Sequence, residues 1–264
     1  MRTAALALAL LALLPAAAAA ARTVSVSRGD VTAALRYTQD GFQTTVQRLT
    51  ITRAGQVLFS GKPNPKACRP AVCEPVPRAL KPLRIRDVQG DGEPEVIYSS
   101  FSGGAHCCTV AEVYSHGGGG YSAASFNFTD SGFVLRDFDS DGKLEWVSRD
   151  PRFDYAFTAY AFSGKPIQIF HFAGKRFREA TSAFPRQVRR DARLWLHRYR
   201  QTSNRDDGVE YGPVAAWAAD RYRLGKRDAT LRFLRGEARR GLLKPRGKRF
   251  VTKLDRFLRR LGYA

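Results

Sequence analysis

The sequence has 264 residues and a net charge of +20, with 44 Lys and Arg against 24 Asp and Glu. This length allows one large domain or two smaller ones. No segment beyond the N-terminal region stays apolar over the roughly 20 residues that a membrane-spanning helix needs. The sequence therefore predicts no transmembrane segment in the mature chain.

The first residues predict an export signal. Arg2 supplies a positive charge, an Ala/Leu run extends through Leu14, and small residues precede a polar stretch. This order is that of a cleaved signal peptide, although a buried N-terminal helix is the alternative. We expect a signal peptide over residues 1–21, with cleavage near Ala20 or Ala21, and a mature protein that is secreted, periplasmic or at the cell surface.

Residues 22–184 predict a β-rich domain. Short strand-like runs, such as 45–52, 94–98, 110–114 and 157–162, alternate with Gly and Asp clusters at the spacing of antiparallel sheets. Tyr and Phe are concentrated here, which suits strands that bury one aromatic face. The hairpin pattern at 49–58 indicates that residues 31–60 form a further strand-and-hairpin unit, which has no acidic loop.

The β-rich region contains an internal repeat. Residues 83–95 align with residues 133–145, with identities at Arg86/Arg136, Asp87/Asp137, Asp91/Asp141, Gly92/Gly142 and Glu95/Glu145. Residues 111–121 likewise resemble residues 167–177. Each unit therefore predicts a strand, an acidic loop, a strand and a hairpin that turns at glycines, which is the content of a four-stranded sheet blade.

The second acidic loop, residues 137–145, predicts a cation site. Calcium takes six to eight oxygen ligands on a flexible loop, and alternate loop positions can point at one centre. Gly142 permits the tight turn that such a loop requires. The predicted ligands at positions 1, 3, 5, 7 and 9 are Asp137, Asp139, Asp141, the carbonyl of Lys143, and Glu145.

The first acidic loop, residues 87–95, predicts a weaker site of the same kind. Gln89 stands at position 3 and supplies a neutral oxygen in place of a carboxylate. The predicted ligands are Asp87, Gln89, Asp91, the carbonyl of Glu93, and Glu95. For both loops the alternative is a pair of Asp-Gly turns that bind no metal.

The two loops are not EF-hands, because their last acid is at position 9 and their flanks are strand-like. Over about residues 80–181 the chain resembles FG-GAP or VCBS-type repeats, the calcium-loop blades of integrin-α-like β-propellers. The resemblance implies that the loop carboxylates bind calcium for structural reasons. Two or three units are fewer than an ordinary closed propeller contains, so we expect a partial propeller or a sandwich-like arrangement.

After Pro185 the apolar residues recur at helical spacing. Gly208, Gly225, Gly241 and the segment 245–247 are predicted breaks between four helices. Residues 185–264 therefore predict an α-helical bundle. The fold class is α+β in two parts, a β-rich repeat domain followed by helices.

Positive charge is concentrated in the helical region. Residues 185–264 carry 23 Lys and Arg against 8 Asp and Glu, whereas residues 22–184 carry 20 against 16. Such asymmetry predicts an acidic partner. In an exported protein the candidates are anionic lipid headgroups or an envelope polymer rather than nucleic acid. A solvated Arg-rich face without a partner is the alternative, and the sequence identifies no protein partner.

The mature chain has four cysteines, Cys68, Cys73, Cys107 and Cys108, and exported chains usually oxidise their thiols. Local pairing would join Cys68 to Cys73 within a Pro-rich loop and Cys107 to Cys108. Cross-pairing, which would tie that loop to the β-domain, also remains open.

One local string offers chemistry of another kind. His106 stands beside Cys107 and Cys108, which could form a thiol-dependent or soft-metal centre, or a Gly-rich connection stiffened by a disulfide. We expect a non-enzymatic binding or structural protein that is stabilised by calcium. The rival is a secreted enzyme, either a hydrolase or a thiol-dependent protein that uses this string.

Overall fold

The computed structural model describes residues 20–41, 43–68, 73–76, 81–103, 108–203, 211–243, 245 and 247–264. The strands are β1 (Ala21–Arg28), β2 (Val31–Asp40), β3 (Gln43–Arg53), β4 (Gln56–Gly61), β5 (Glu74–Pro75), β6 (Leu83–Arg86), β7 (Glu95–Phe101), β8 (Thr109–Gly117), β9 (Gly120–Asn127), β10 (Val134–Arg136), β11 (Glu145–Arg149), β12 (Ile167–Ala173) and β13 (Arg176–Glu179). The helices are α1 (Pro185–Thr202), α2 (Tyr211–Arg223), α3 (Arg227–Arg239) and α4 (Gly247–Arg260). The predicted signal peptide, residues 1–21, lies almost wholly outside the described residues.

Within the described residues the strands form three antiparallel sheets in chain order. The first has the order β1-β2-β3-β4, in which the pairing of β3 with β4 confirms the hairpin expected at residues 49–58. Strand β1 pairs with β2 and precedes the unit expected at residues 31–60. The second has the order β5-β7-β8-β9, with β6 also paired to β7. The third has the order β10-β11-β12-β13. Residues 83–127 and 134–179 thus repeat the same succession of strand, acidic loop, strand and hairpin.

The second sheet lies between the other two. Its strand β7 is buried on both faces, because alternate side chains point to opposite sides of a sheet. Val96 and Tyr98 join the core shared with the first sheet. Ile97 joins an aromatic core that includes Trp146 and Phe170 of the third sheet. The β-region is therefore a stack of three blades.

Helices cover the outer face of the third sheet. Ile167 and Ile169 of β12 share a small core with Phe184 and with Val188 of α1. The three antiparallel sheets and the helices that follow them in the described residues confirm the predicted α+β fold class, whereas the partial propeller or sandwich-like arrangement of the sheets stays a prediction.

The helical region follows from its apolar pattern. Helices α1, α3 and α4 bury one stripe each, whereas α2 is buried from Tyr211 to Asp220. Gly225 and Gly241 separate consecutive helices with φ of 68° and 73°, values that favour glycine at a helix end. These two breaks are where the sequence predicts them, and Gly208 lies outside the described residues. No helix among the described residues is long and apolar enough to span a membrane.

The expected strand at residues 157–162 is wrong. The chain there forms turns and a short 3-10 helix, Tyr160–Phe162. Phe157 packs edge-on against Phe250 and Phe257 of α4 instead of pairing with a strand. Phe157 thus packs against the helices, a position that sequence periodicity cannot distinguish from one on a β-sheet face.

Candidate metal centre

The second acidic loop is shaped by its first carboxylate. The side chain of Asp137 accepts hydrogen bonds from the backbone N–H groups of Ser140, at 2.6 Å, and Gly142, at 3.3 Å. Ser140 and Gly142 have φ of 63° and 85°, so the backbone turns sharply at two points. The loop consequently folds around the carboxylate of Asp137.

Three of the predicted ligands come together. One carboxylate oxygen from each of Asp137, Asp139 and Glu145 lies within 4.8 Å of the others. Oxygens that share one calcium ion at ~2.4 Å are at most about 4.8 Å apart, so the described spacing fits such an ion. Asp137 and Asp139 are exposed and Glu145 is buried. The site therefore opens to solvent on one side, which leaves room for water ligands.

Glu145 is the buried base of this cluster. Its Oε2 accepts a hydrogen bond of 2.8 Å from the backbone N–H of Phe138. Burial raises the pKa of Glu145, against the hydrogen bond from Phe138, and the neighbouring carboxylate of Asp139 raises it further. The Nε2 atom of His171 lies 3.5 Å from Glu145 Oε1. A cation at this point would therefore stabilise a carboxylate that the protein alone disfavours.

The side chain of Asp141 contacts Lys143, whose predicted ligand atom is its carbonyl oxygen. Asp141 accepts hydrogen bonds from the backbone N–H of Lys143, at 2.9 Å, and from its Nζ, at 2.8 Å. These bonds to Lys143 lower the pKa of Asp141. The structure thus brings Asp137, Asp139 and Glu145 together, and places the Asp141 side chain against the amine of Lys143.

The first acidic loop repeats the backbone but not the cluster. Asp87 accepts hydrogen bonds from Gly90, at 2.7 Å, and Gly92, at 2.9 Å, and these glycines have φ of 69° and 84°. Glu95 accepts a bond of 3.0 Å from the backbone N–H of Val88. These contacts are the counterparts of those in the second loop.

The difference lies at position 3. The amide nitrogen of Gln89 donates a hydrogen bond of 2.6 Å to Glu95 Oε1. Its amide oxygen accepts one of 3.1 Å from the backbone N–H of Gly174, at the turn between β12 and β13. The predicted ligand oxygen of Gln89 is thus directed away from the loop. Only the second loop holds a cluster of three possible metal-binding side chains within the described parts of the chain.

The remaining predicted ligands of the first loop have other partners. Asp91 accepts a bond of 2.9 Å from the backbone N–H of Glu93. The carboxylate of Glu93 pairs with Arg53 of the first sheet, with Nη2 to Oε1 at 2.9 Å, and Arg53 also contacts Asp30. Glu93 therefore links the first two sheets, a role that its sequence position does not reveal.

The two loops lie side by side. The backbone N–H of Leu144 donates a hydrogen bond of 3.2 Å to the carbonyl of Val88. A Cβ added to Gly90 would lie 3.0 Å from Lys143 Cγ and 3.1 Å from the carbonyl carbon of Gly142. A glycine at position 90 is thus required both by its positive φ and by the approach of the second loop.

The cysteines form disulfides where the structure describes them. Cys68 is bonded to Cys73, which is the local pair of the two alternatives. Cys108 is also disulfide-bonded. His106 and Cys107 lie outside the described residues, so the string that they form with Cys108 stays a prediction.

Comparisons with known proteins give two relatives. The chain is 36% identical over 139 residues to an uncharacterized protein of Sinorhizobium fredii, which covers 52% of this chain and 22% of that protein. It is 32% identical over 152 residues to a probable thylakoid lumen protein of Synechocystis sp., which covers 55% of this chain and 42% of that protein. The chain thus spans less than half the length of either relative. No family model and no solved structure matches it.

Proposed function

We propose that this chain is an exported, non-catalytic binding or structural protein of the cell envelope. Calcium stabilises its blade stack at the second acidic loop, and the basic helical region binds an anionic partner. The observation that most directly supports calcium binding is the carboxylate cluster of Asp137, Asp139 and Glu145. An oxygen-only cluster favours a hard cation such as calcium over zinc or copper, which prefer nitrogen and sulfur ligands.

The charge distribution of the helices supports the second half of the proposal. Five acidic residues are described in this region, and only Asp228 is strongly exposed. Asp191, Asp220 and Glu237 are buried, and Asp255 accepts hydrogen bonds from neighbouring side chains. Four of these five acids are therefore buried or hydrogen-bonded by neighbouring side chains, while the exposed positions are rich in Arg and Lys. Such a surface attracts polyanions and is screened by salt.

Two observations support export. The N-terminal residues follow the order of a signal peptide, and one relative is named as a probable thylakoid lumen protein. An exported location also suits the Cys68–Cys73 disulfide, since disulfides persist in oxidising compartments.

The rival thiol-dependent enzyme fits the described residues less well. Cys68, Cys73 and Cys108 are all in disulfides, and a nucleophilic or soft-metal centre requires a free thiolate. Counting reactive thiols on the native mature protein tests this directly. Titration of a free cysteine at this string would favour the rival.

The calcium half is tested by calorimetry of the mature protein. We expect calcium at about 100 times its dissociation constant to stabilise the protein by roughly 2.7 kcal/mol relative to chelator, which should raise the melting temperature by several degrees. Asp139→Asn should abolish the shift. Asp91→Asn is the matched control, because it removes an exposed loop carboxylate outside the cluster. A melting temperature indifferent to chelator would refute this half of the proposal.

A further inference from the structure

One basic surface among the described residues lies on α4. Arg249, Lys253, Arg256 and Arg260 recur at intervals of four, three and four residues, so they share one face of the helix. All four are exposed. At ~1.5 Å per residue they form a row roughly 16 Å long, with one cation about every 5 to 6 Å.

This row borders a concave surface. Lys248, Arg249, Lys253 and Arg256 line a shallow depression of about 350 Å³ together with the hydroxyl-bearing Thr252. Every charged residue of its lining is a cation. A concave surface brings these charges toward a common centre, where an anion contacts several of them at once.

A groove between α3 and α4 extends the depression. The groove has a volume of about 500 Å³ and shares Lys248 and Thr252 with it. Arg235 and Arg239 of α3 stand on the far rim. Cationic side chains from two helices thus form a continuous path.

The one acid beside the groove is already compensated. Asp255 accepts hydrogen bonds of 3.0 Å from Arg227 Nε and 2.8 Å from the hydroxyl of Tyr222. The bond from Arg227 holds the pKa of Asp255 below its usual range. Asp255 therefore adds little repulsion toward an approaching anion.

The packing of Lys253 fixes the middle of the row. Its Nζ donates a hydrogen bond of 3.0 Å to the carbonyl of Ala156 and lies 5.3 Å from the ring centre of Phe157. The side chain remains exposed. One cation of the row is consequently held in place before any ligand arrives, which lowers the entropic cost of binding.

We infer that the α4 face binds a linear polyanion with a charge on each repeating unit, such as a phosphate-bearing polymer. This inference rests on the proposed function and names its anionic partner by class. A bilayer fits less well, because peripheral helices usually insert large apolar side chains as well. The exposed large apolar side chains described in this chain are Val57, Val134, Tyr155, Phe162 and Leu194, and none belongs to α3 or α4.

The test compares two quadruple variants of the full mature chain. Arg249→Gln, Lys253→Gln, Arg256→Gln and Arg260→Gln together remove the α4 row. Arg186→Gln, Arg190→Gln, Arg193→Gln and Arg200→Gln remove the same charge from an exposed row on α1. The probes are sodium polyphosphate of narrow length distribution and vesicles that contain phosphatidylglycerol, each titrated at several salt concentrations.

We expect the wild type to bind polyphosphate with a strong salt dependence. The α4 variant should bind roughly 100-fold more weakly at ~0.1 M salt. Its salt dependence should be shallower, because a protein that makes fewer ionic contacts releases fewer counterions on binding. The α1 variant should lose less than about 3-fold. A third variant, Arg249→Lys with Arg256→Lys and Arg260→Lys, keeps the charge and should retain binding, which would show that binding depends on the positive charge of these side chains.

Equal losses in the α1 and α4 variants would overturn the inference, because net charge alone would then explain binding. Binding to vesicles without binding to polyphosphate would also overturn it, while leaving the proposed anionic partner in place. If neither probe binds, the inference and the docking half of the proposed function both fail.

Discussion

The two acidic loops share a backbone but differ in what completes them. In each, an aspartate at position 1 accepts hydrogen bonds from the backbone N–H groups of positions 4 and 6, and a buried glutamate at position 9 accepts one more. The first loop then places the amide of Gln89 on Glu95. The second places the carboxylate of Asp139 near Glu145. One loop is therefore completed by a hydrogen-bond donor, and the other presents three converging carboxylates.

We propose from this comparison that position 3 decides whether such a loop binds a cation. An amide nitrogen at this position supplies the positive dipole that a cation would otherwise provide to the buried glutamate. Gln89 also reaches Gly174 and so ties the second blade to the third. A carboxylate at position 3 instead repels the buried glutamate, because like charges within a few ångströms disfavour each other unless a cation lies between them.

Gln89→Asp tests the role of position 3 and should have the largest effect. In chelator this change removes the bonds to Glu95 and Gly174 and adds a negative charge beside Asp87 and Glu95, so we expect a loss of about 3 kcal/mol of unfolding free energy. Calcium should restore most of the loss, and calorimetric titration should count two ions in place of one.

Gln89→Ala is the control for that experiment. It removes the same two hydrogen bonds without adding a carboxylate, so it should be destabilised whether or not calcium is present. Equal behaviour of the two variants toward calcium would show that position 3 does not select the ion.

Gly90→Ala tests the approach of the two loops. The positive φ and the contacts to Gly142 and Lys143 should together cost about 2 kcal/mol in denaturant unfolding. Ser140 holds the corresponding position of the second loop, also at positive φ. Ser140→Gly should relieve that strain and leave stability unchanged or slightly higher. A neutral Gly90→Ala would mean that the loops separate readily.

The sequence predicts the common part of the two loops and misses the part that distinguishes them. The repeat at 83–95 and 133–145 locates both turns, because the capping aspartate and the positive-φ positions are local features. The second contact of Gln89 joins residues 85 positions apart in the chain. A glutamine can either bind a metal through its amide oxygen or bridge two segments by hydrogen bonds. The sequence therefore predicts a weak ligand at Gln89, where the structure has hydrogen bonds to Glu95 and Gly174.

Long-range contacts between the helices and the β-region are likewise missed by the sequence. Helical periodicity and glycine breaks predict α1 to α4 from local information. The link from Tyr263, near the end of α4, to buried Asp150 spans 113 positions, with a hydrogen bond of 2.7 Å. Asp191 of α1 likewise receives Arg149 of β11 at 2.5 Å and the backbone N–H of Ile167. The periodicity and local motifs of one sequence contain no signal for such long-range polar contacts.

Asp139→Gln converts the second loop toward the first. The new amide should donate to Glu145, and one exposed carboxylate is lost, so we expect about 1 kcal/mol of added stability in chelator. Calcium should then have no effect on the melting temperature. Asp139→Ala is the control, since it lacks the amide and should lose the calcium response without the gain. A calcium response that survives in Asp139→Gln would contradict the role assigned to position 3.

The smallest effect should appear in the pH dependence of stability. Burial raises the pKa of Glu95 and of Glu145 in the folded state. The folded protein then binds more protons than the unfolded chain, so stability in chelator should fall as pH rises from roughly 4.5 through these raised pKa values. Calcium should cancel the contribution of Glu145 to this pH dependence and leave the contribution of Glu95 unchanged. Unfolding free energies of Glu145→Gln and Glu95→Gln, measured against pH with and without calcium, separate the two contributions. A pH slope that calcium leaves unchanged would show that the ion does not reach Glu145.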